Sequence, residues 1–193
     1  MHNFKANYDK ILEVLKSLDL ESENFLFQIR KPRLSDLEIV ALNLTSEYMS
    51  IDSEYQLFRI LPSDIKSLIE RSVYNRRKRR LFIHMERIRK LLAEKFNGSE
   101  KYFIVDSMPL EVCKLSRSSR SKICRETDYA IPNKGYCASQ KMHYYGYKLH
   151  AVCSAEGVFQ SLDISPASVH DIHYLKDIKQ QFKNCTLLAD KGY

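Results

Sequence analysis

Apolar residues at helical spacing organise the first half of the chain. Phe4, Tyr8, Ile11, Leu12, Leu15 and Leu18 recur at three- and four-residue steps and predict an amphipathic helix. Ser35-Asp36-Leu37-Glu38 reads as a capping box, in which the Ser hydroxyl and the Glu carboxylate satisfy each other's orphan backbone donors. It opens a helix with Leu37, Val40, Ala41, Leu44 and Tyr48 as its buried stripe. A shorter helix around Tyr55 to Leu61 stops at Pro62, and another begins near Ser63 with Ile65, Leu68 and Ile69 inward. A longer helix follows, with Leu81, Met85, Ile88 and Leu92 at helical steps and Gly98 as its natural stop.

After Gly98 the period changes. Tyr102-Phe103-Ile104-Val105 is a short apolar run that predicts a strand buried on both faces and ending at Asp106. Residues 114–140 are polar, basic and without periodicity, which predicts a long loop. Tyr145, Tyr147, Leu149, Ala151 and Cys153 alternate with Gly146, Lys148, His150 and Val152, as a strand does. Glu156-Gly157 is a hairpin turn, Val158 to Ile164 the returning strand, and Pro166 its end. Ser168 can cap a helix, with Asp171 three positions on and Ile172, Leu175, Ile178 and Phe182 inward. Thr186-Leu187-Leu188-Ala189 predicts a last strand ending at Asp190. The pattern is α+β: a helical region over 1–97, then over 98–193 a three-strand meander, a crossover helix and a parallel fourth strand, the core of a ribonuclease H-like sheet.

Composition narrows the setting. Of 193 residues 44% are hydrophobic, enough for a packed core. The formal net charge of +7 favours anionic partners, of which phosphate backbones are the commonest. Simple solubility is the competing explanation. No run approaches the roughly 18 apolar residues of a membrane span, and Met1-His2-Asn3-Phe4-Lys5 lacks the apolar core of a secretory signal, so a cytoplasmic protein is expected. Cys113, Cys124, Cys137, Cys153 and Cys185 form no C-x-x-C pair, which favours reduced thiols over zinc or disulfides.

The candidate chemistry rests on two carboxylates. Asp106 and Asp190 each end a short apolar run and would emerge at the rim of the sheet. Two such acids on neighbouring strands can share divalent cations, an arrangement suited to cutting and joining phosphodiester bonds. A strand-end Asp taken alone is more often held by backbone donors. Asn75 precedes a dense basic run, Arg76-Arg77-Lys78-Arg79-Arg80, placed at the start of the long helix, where it can neutralise DNA phosphates. Arg117, Arg120, Lys122 and Arg125 in the long loop suit gripping DNA beside the acids. Solvated surface is the bland alternative for both groups. His150 could approach phosphate but equally fits a cross-strand contact. His170 and His173 have metal-ligand spacing on one predicted helix but no third partner. Asp163 and Asp171 are weaker acid candidates, and Tyr144, Tyr145 and Tyr147 fit strand packing better than base stacking. A helix-turn-helix within Ser35 to Glu70 competes with a dimer-building role for those helices.

Four segments carry a resemblance. Val105-Asp106-Ser107-Met108-Pro109, Tyr145-Gly146-Tyr147-Lys148-Leu149-His150, Ser165-Pro166-Ala167-Ser168-Val169-His170-Asp171 and Leu188-Ala189-Asp190-Lys191-Gly192-Tyr193 occur in that order. Together they resemble the DDE transposases of bacterial insertion sequences. The resemblance implies a ribonuclease H-like catalytic domain, an Asp-Asp-Glu triad and two Mg2+ ions, with Mn2+ as a substitute. Asp106 matches the first acid and Asp190 the second, while no position up to Tyr193 matches the Glu expected on a later helix. An interrupted gene, a frameshifted product or a fragment would each explain that. The expected function is DNA transposition on duplex DNA at terminal inverted repeats, by a homo-oligomer, with this chain alone inactive. The alternative is a non-catalytic DNA-binding remnant competing for element ends. A ribonuclease H-like nuclease of repair or RNA is the third reading, and the basic loop and the Tyr-Gly-Tyr-Lys-Leu-His strand fit it less well.

Overall fold

The computed structural model describes residues 3–97 and 100–190. Gly98, the predicted helix stop, and Lys191 to Tyr193 lie outside them. The chain divides into two units, Met1–Leu92 and Ala93–Tyr193.

In the first unit, α1 (Phe4–Lys16) starts at Asn3, whose side chain accepts from the Ala6 N–H, and packs on α2 (Asp36–Tyr48). Both arms of the capping box form: the Glu38 N–H donates to Ser35 Oγ at 3.1 Å and the Ser35 N–H to Glu38 Oε2 at 2.6 Å. The single buried stripe expected of α2 is wrong. Ile39, Leu42, Asn43, Thr45 and Ser46 are buried beside Leu37, Val40 and Ala41, while Tyr48 is 73% exposed. The helix is covered nearly all round because it is the centre of this unit. Around it lie α3 (Glu54–Ile60), which ends before Pro62, a single-turn α4 (Ser63–Lys66), α5 (Arg71–Arg80) and α6 (Phe82–Asn97). Leu68, expected inward, is exposed.

The predicted long helix is therefore two, broken at the fully buried Leu81. The basic run does not open it but fills the last turn of α5, where cations favour the negative end of the helix dipole. The run is also not uniform. Arg77 is buried, and its Nε and Nη2 donate to Asp36 Oδ1 at 3.2 and 2.6 Å while its Nη1 donates to the Leu34 carbonyl. Asp36, fully buried, accepts from the Phe25 and Leu26 N–H groups through its other oxygen. Every lone-pair direction of this carboxylate is thereby used, which makes a buried charge tolerable. Lys78 pairs with Glu54 at 3.0 Å. Arg76, Arg79 and Arg80 remain exposed, with no ion pair among the described residues.

The second unit is a mixed sheet with one helix, α7 (Ile172–Ile178). Its strands are β1 (Tyr102–Cys113), β2 (Asn133–Cys137), β3 (Met142–Ser154), β4 (Phe159–Pro166) and β5 (Thr186–Ala189). β3 pairs antiparallel with β1, β2 and β4, and β5 joins β1 in parallel. The meander, crossover helix and parallel strand are as expected. β2 and two 3-10 turns, Leu115–Arg120 and Asp128–Ala130, occupy what read as an unbroken loop. β1 runs seven residues past Asp106, and its burial alternates: Phe103 and Val105 pack under α7 with Val152, Tyr174, Ile178 and Leu187, whereas Tyr102 and Ile104 are exposed. α7 covers one face of the sheet at β1 and β5. Ser168 does not cap α7, which begins at Ile172, and instead exchanges hydrogen bonds with the Asn133 side chain. Gly146 has a local reason: a methyl group there would overlap the Leu110 carbonyl oxygen across the β1–β3 ladder, next to its register shift.

Arg77→Met should destabilise the chain by about 3–5 kcal/mol, because it strands the buried Asp36 carboxylate. Arg76→Met and Arg79→Met should stay within about 0.5 kcal/mol. Urea unfolding of the three variants measures the contrast.

Candidate active site

The β1–β5 ladder positions both predicted acids. It pairs Tyr102 with Thr186, Phe103 with Leu187, Ile104 with Leu188 and Val105 with Ala189. Asp106 and Asp190 are the residues that follow the last pair of this ladder. By alternation along β1, Asp106 falls on the face opposite α7, and both acids are exposed. Asp106 does not end its strand, contrary to the sequence reading. The rim arises because β5 stops at Ala189 while β1 continues, paired with β3 alone. One oxygen of Asp106 accepts from the Ser107 N–H at 2.7 Å.

The setting of the acids is apolar. Ala151 lies opposite Asp106 on β3, and Ile104, Met108 and Leu188 are its exposed neighbours on the same face. This collar was not identified from sequence. Its signal was the period-two alternation through Tyr102 to Met108, hidden when the run was read as continuously apolar.

The basic loop returns to the same face. Tyr147, on the Asp106 side of β3 by alternation, donates from its hydroxyl to the Ala130 carbonyl at 2.6 Å. Burial, with a contribution from Cys124, pushes this phenol up to about 12, so it remains a donor at neutral pH. Arg117, Arg120, Lys122 and Arg125 are exposed and in no ion pair among the described residues. Tyr144 and Tyr145 are buried strand residues and offer no stacking surface.

The secondary candidates resolve as structure. Lys148 pairs with Asp171 at 2.9 Å and donates to the Val169 carbonyl. His150 is buried under α7, bonded to Ser165 Oγ at 2.8 Å and stacked on Tyr174 at 4.6 Å, away from the acids. Asp163 accepts from its neighbour's Ile164 N–H. His170 precedes α7 rather than sharing it with His173, and its Nδ1 accepts from the Ile172 N–H. Among the described residues no group of three or more His, Cys, Asp or Glu side chains could hold a metal.

The family model for the transposase DDE domain matches residues 97–193, about half of the chain and all of the sheet. The chain belongs to the DDE transposase family. No curated protein and no solved structure matches it. The membership agrees with a helical region followed by a partial ribonuclease H-like sheet. Members of this family bind DNA and generally use divalent metals. No helix among the described residues is long and apolar enough to cross a membrane.

Burial holds the His150 imidazole below its ordinary value of 6.5, assisted by Lys148 and opposed by Asp171 and Asp163. The unfolded chain therefore takes up a proton that the folded one refuses. This contribution to stability is complete above pH 6.5 and is lost as the pH falls toward the folded value. The stability gap between the native chain and His150→Asn should shrink from pH 7 to pH 5 in denaturant titrations.

Proposed function

We propose that Asp106 and Asp190 are two of the three metal-ligating acids of an insertion-sequence transposase that cleaves and transfers DNA at terminal inverted repeats. The observation that carries this reading is the parallel ladder ending at Val105 and Ala189, one step short of both acids. Two Mg2+ ions, or Mn2+, are the cations proposed. Held there, they would supply the positive charge that activates water or a 3′-hydroxyl and that balances the departing oxygen. The two Asp residues would each give hard oxygen ligands, with water and phosphate completing the shells. Arg117, Arg120, Lys122 and Arg125 would hold the strand being cut, since their loop is tied by Tyr147 to the face of the acids. Arg76, Arg79 and Arg80 would contact backbone phosphates elsewhere on the duplex. Arg77 and Lys78 leave that set, because each already has a carboxylate partner. Transfer joins two element ends, so a homo-oligomer is the proposed working form.

The exposed apolar collar supports a third ligand arriving on a helix that would lie on this face.

Titration calorimetry with MnCl2 should give weak binding that disappears in Asp106→Asn and in Asp190→Asn, while both variants retain DNA binding. Variants that bind Mn2+ like the native chain would sink the assignment.

A further inference from the structure

The helical unit carries a second basic surface, ahead of the capping box. Arg30, Lys31 and Arg33 flank Pro32, and Lys66 closes α4; all four cations are exposed and in no ion pair among the described residues. They line one cleft of about 540 Å3 together with Gln28 and Glu70. Arg77 borders the cleft too, but its charge is matched by Asp36. Four cations against the single carboxylate of Glu70 leave the cleft clearly positive.

Two further observations point to an anionic occupant. Gln28 lines the cleft, and its Nε2 group has no hydrogen-bond partner among the described residues. The segment bearing the cations is also held at both ends: Asp36 accepts from the Phe25 and Leu26 N–H groups, and Arg77 donates to the Leu34 carbonyl. Fixing the segment this way lowers the entropy lost when a ligand is gripped. Phosphodiester oxygens would balance the charge of the four cations.

The cleft continues the exposed face of α5. At 100° per residue, Arg79, Arg76 and Arg80 follow one another around that helix and lead to Val73, which lines the cleft. We propose that the cleft of Gln28, Arg30, Lys31, Arg33 and Lys66 is a second phosphate-binding contact, gripping the same duplex that meets the outer face of α5. The proposal rests on the reading of this chain as a DNA-binding transposase. Its contacts are to phosphate, so it acts on any duplex sequence.

Fluorescence anisotropy with the full chain and a labelled random-sequence duplex of about 30 base pairs, at roughly 50 to 200 mM salt, tests it. Arg30→Gln/Lys31→Gln/Arg33→Gln should weaken binding roughly ten-fold or more and flatten the log–log salt slope by about 2.7, or about 0.9 per lost phosphate contact. Lys66→Gln, on a separate element, should flatten it by about 0.9, which keeps the test decisive if the triple variant loses its circular dichroism spectrum. Arg76→Gln/Arg79→Gln/Arg80→Gln serves as the reference for the α5 face. If that reference weakens binding while the cleft variants bind with native affinity and slope, the cleft is not a DNA contact and the broader reading stands. A native chain that fails to bind duplex would overturn both.

Discussion

The parallel pairing of β5 with β1 is the constraint on which the candidate site depends. Asp106 and Asp190 are 84 positions apart (190 minus 106), and nothing local holds them together. Closing a chain segment of that length costs about 4 kcal/mol beyond a constant term. The cost is offset on the other face of the sheet, where Phe103, Val105 and Leu187 pack with Tyr174 and Ile178 beneath α7. A buried side chain of this kind contributes about 1.5–3 kcal/mol, so the core dominates. The acids are thus held by apolar side chains that never touch them. The pleat does the rest, turning core residues one way and carboxylates the other.

The helical unit shows a comparable division of labour within five consecutive cations. Arg77 is spent on Asp36, the pair that anchors the segment from Phe25 to Leu34, and Lys78 is matched by Glu54. Arg76, Arg79 and Arg80 face solvent. A basic run therefore builds the unit and charges its surface at once, and helical geometry decides which residue does which. The positive surface that results is assembled from α4, α5 and the segment before α2, which no single stretch of sequence displays.

Several elements were legible because their signals are local. The capping box at Ser35 and Glu38 requires only residues within one turn, and both of its hydrogen bonds form. The hairpin glycine, Gly157, has the positive φ that its turn demands. The strands that lead to Asp106 and Asp190 were visible as apolar runs. Less legible was anything set by a distant partner. β2 is a polar pentapeptide that becomes a strand only by pairing with β3. The break at Leu81 reflects the pull of the core on one leucine, and the basic run around it gives no sign of that. His150 looked like a candidate beside phosphate until its place under Tyr174 was clear.

The sequence by itself determined the α+β order, the helix start at Ser35 and the family, because spacing, capping and family motifs are written in neighbouring residues. Only the tertiary structure decided that a parallel ladder ends one residue short of both Asp106 and Asp190, and that Arg77 is a core residue among surface arginines. Burial and strand register are properties of residues far apart in the chain. A linear pattern can nominate a side chain, but which way it faces depends on what packs against its neighbours.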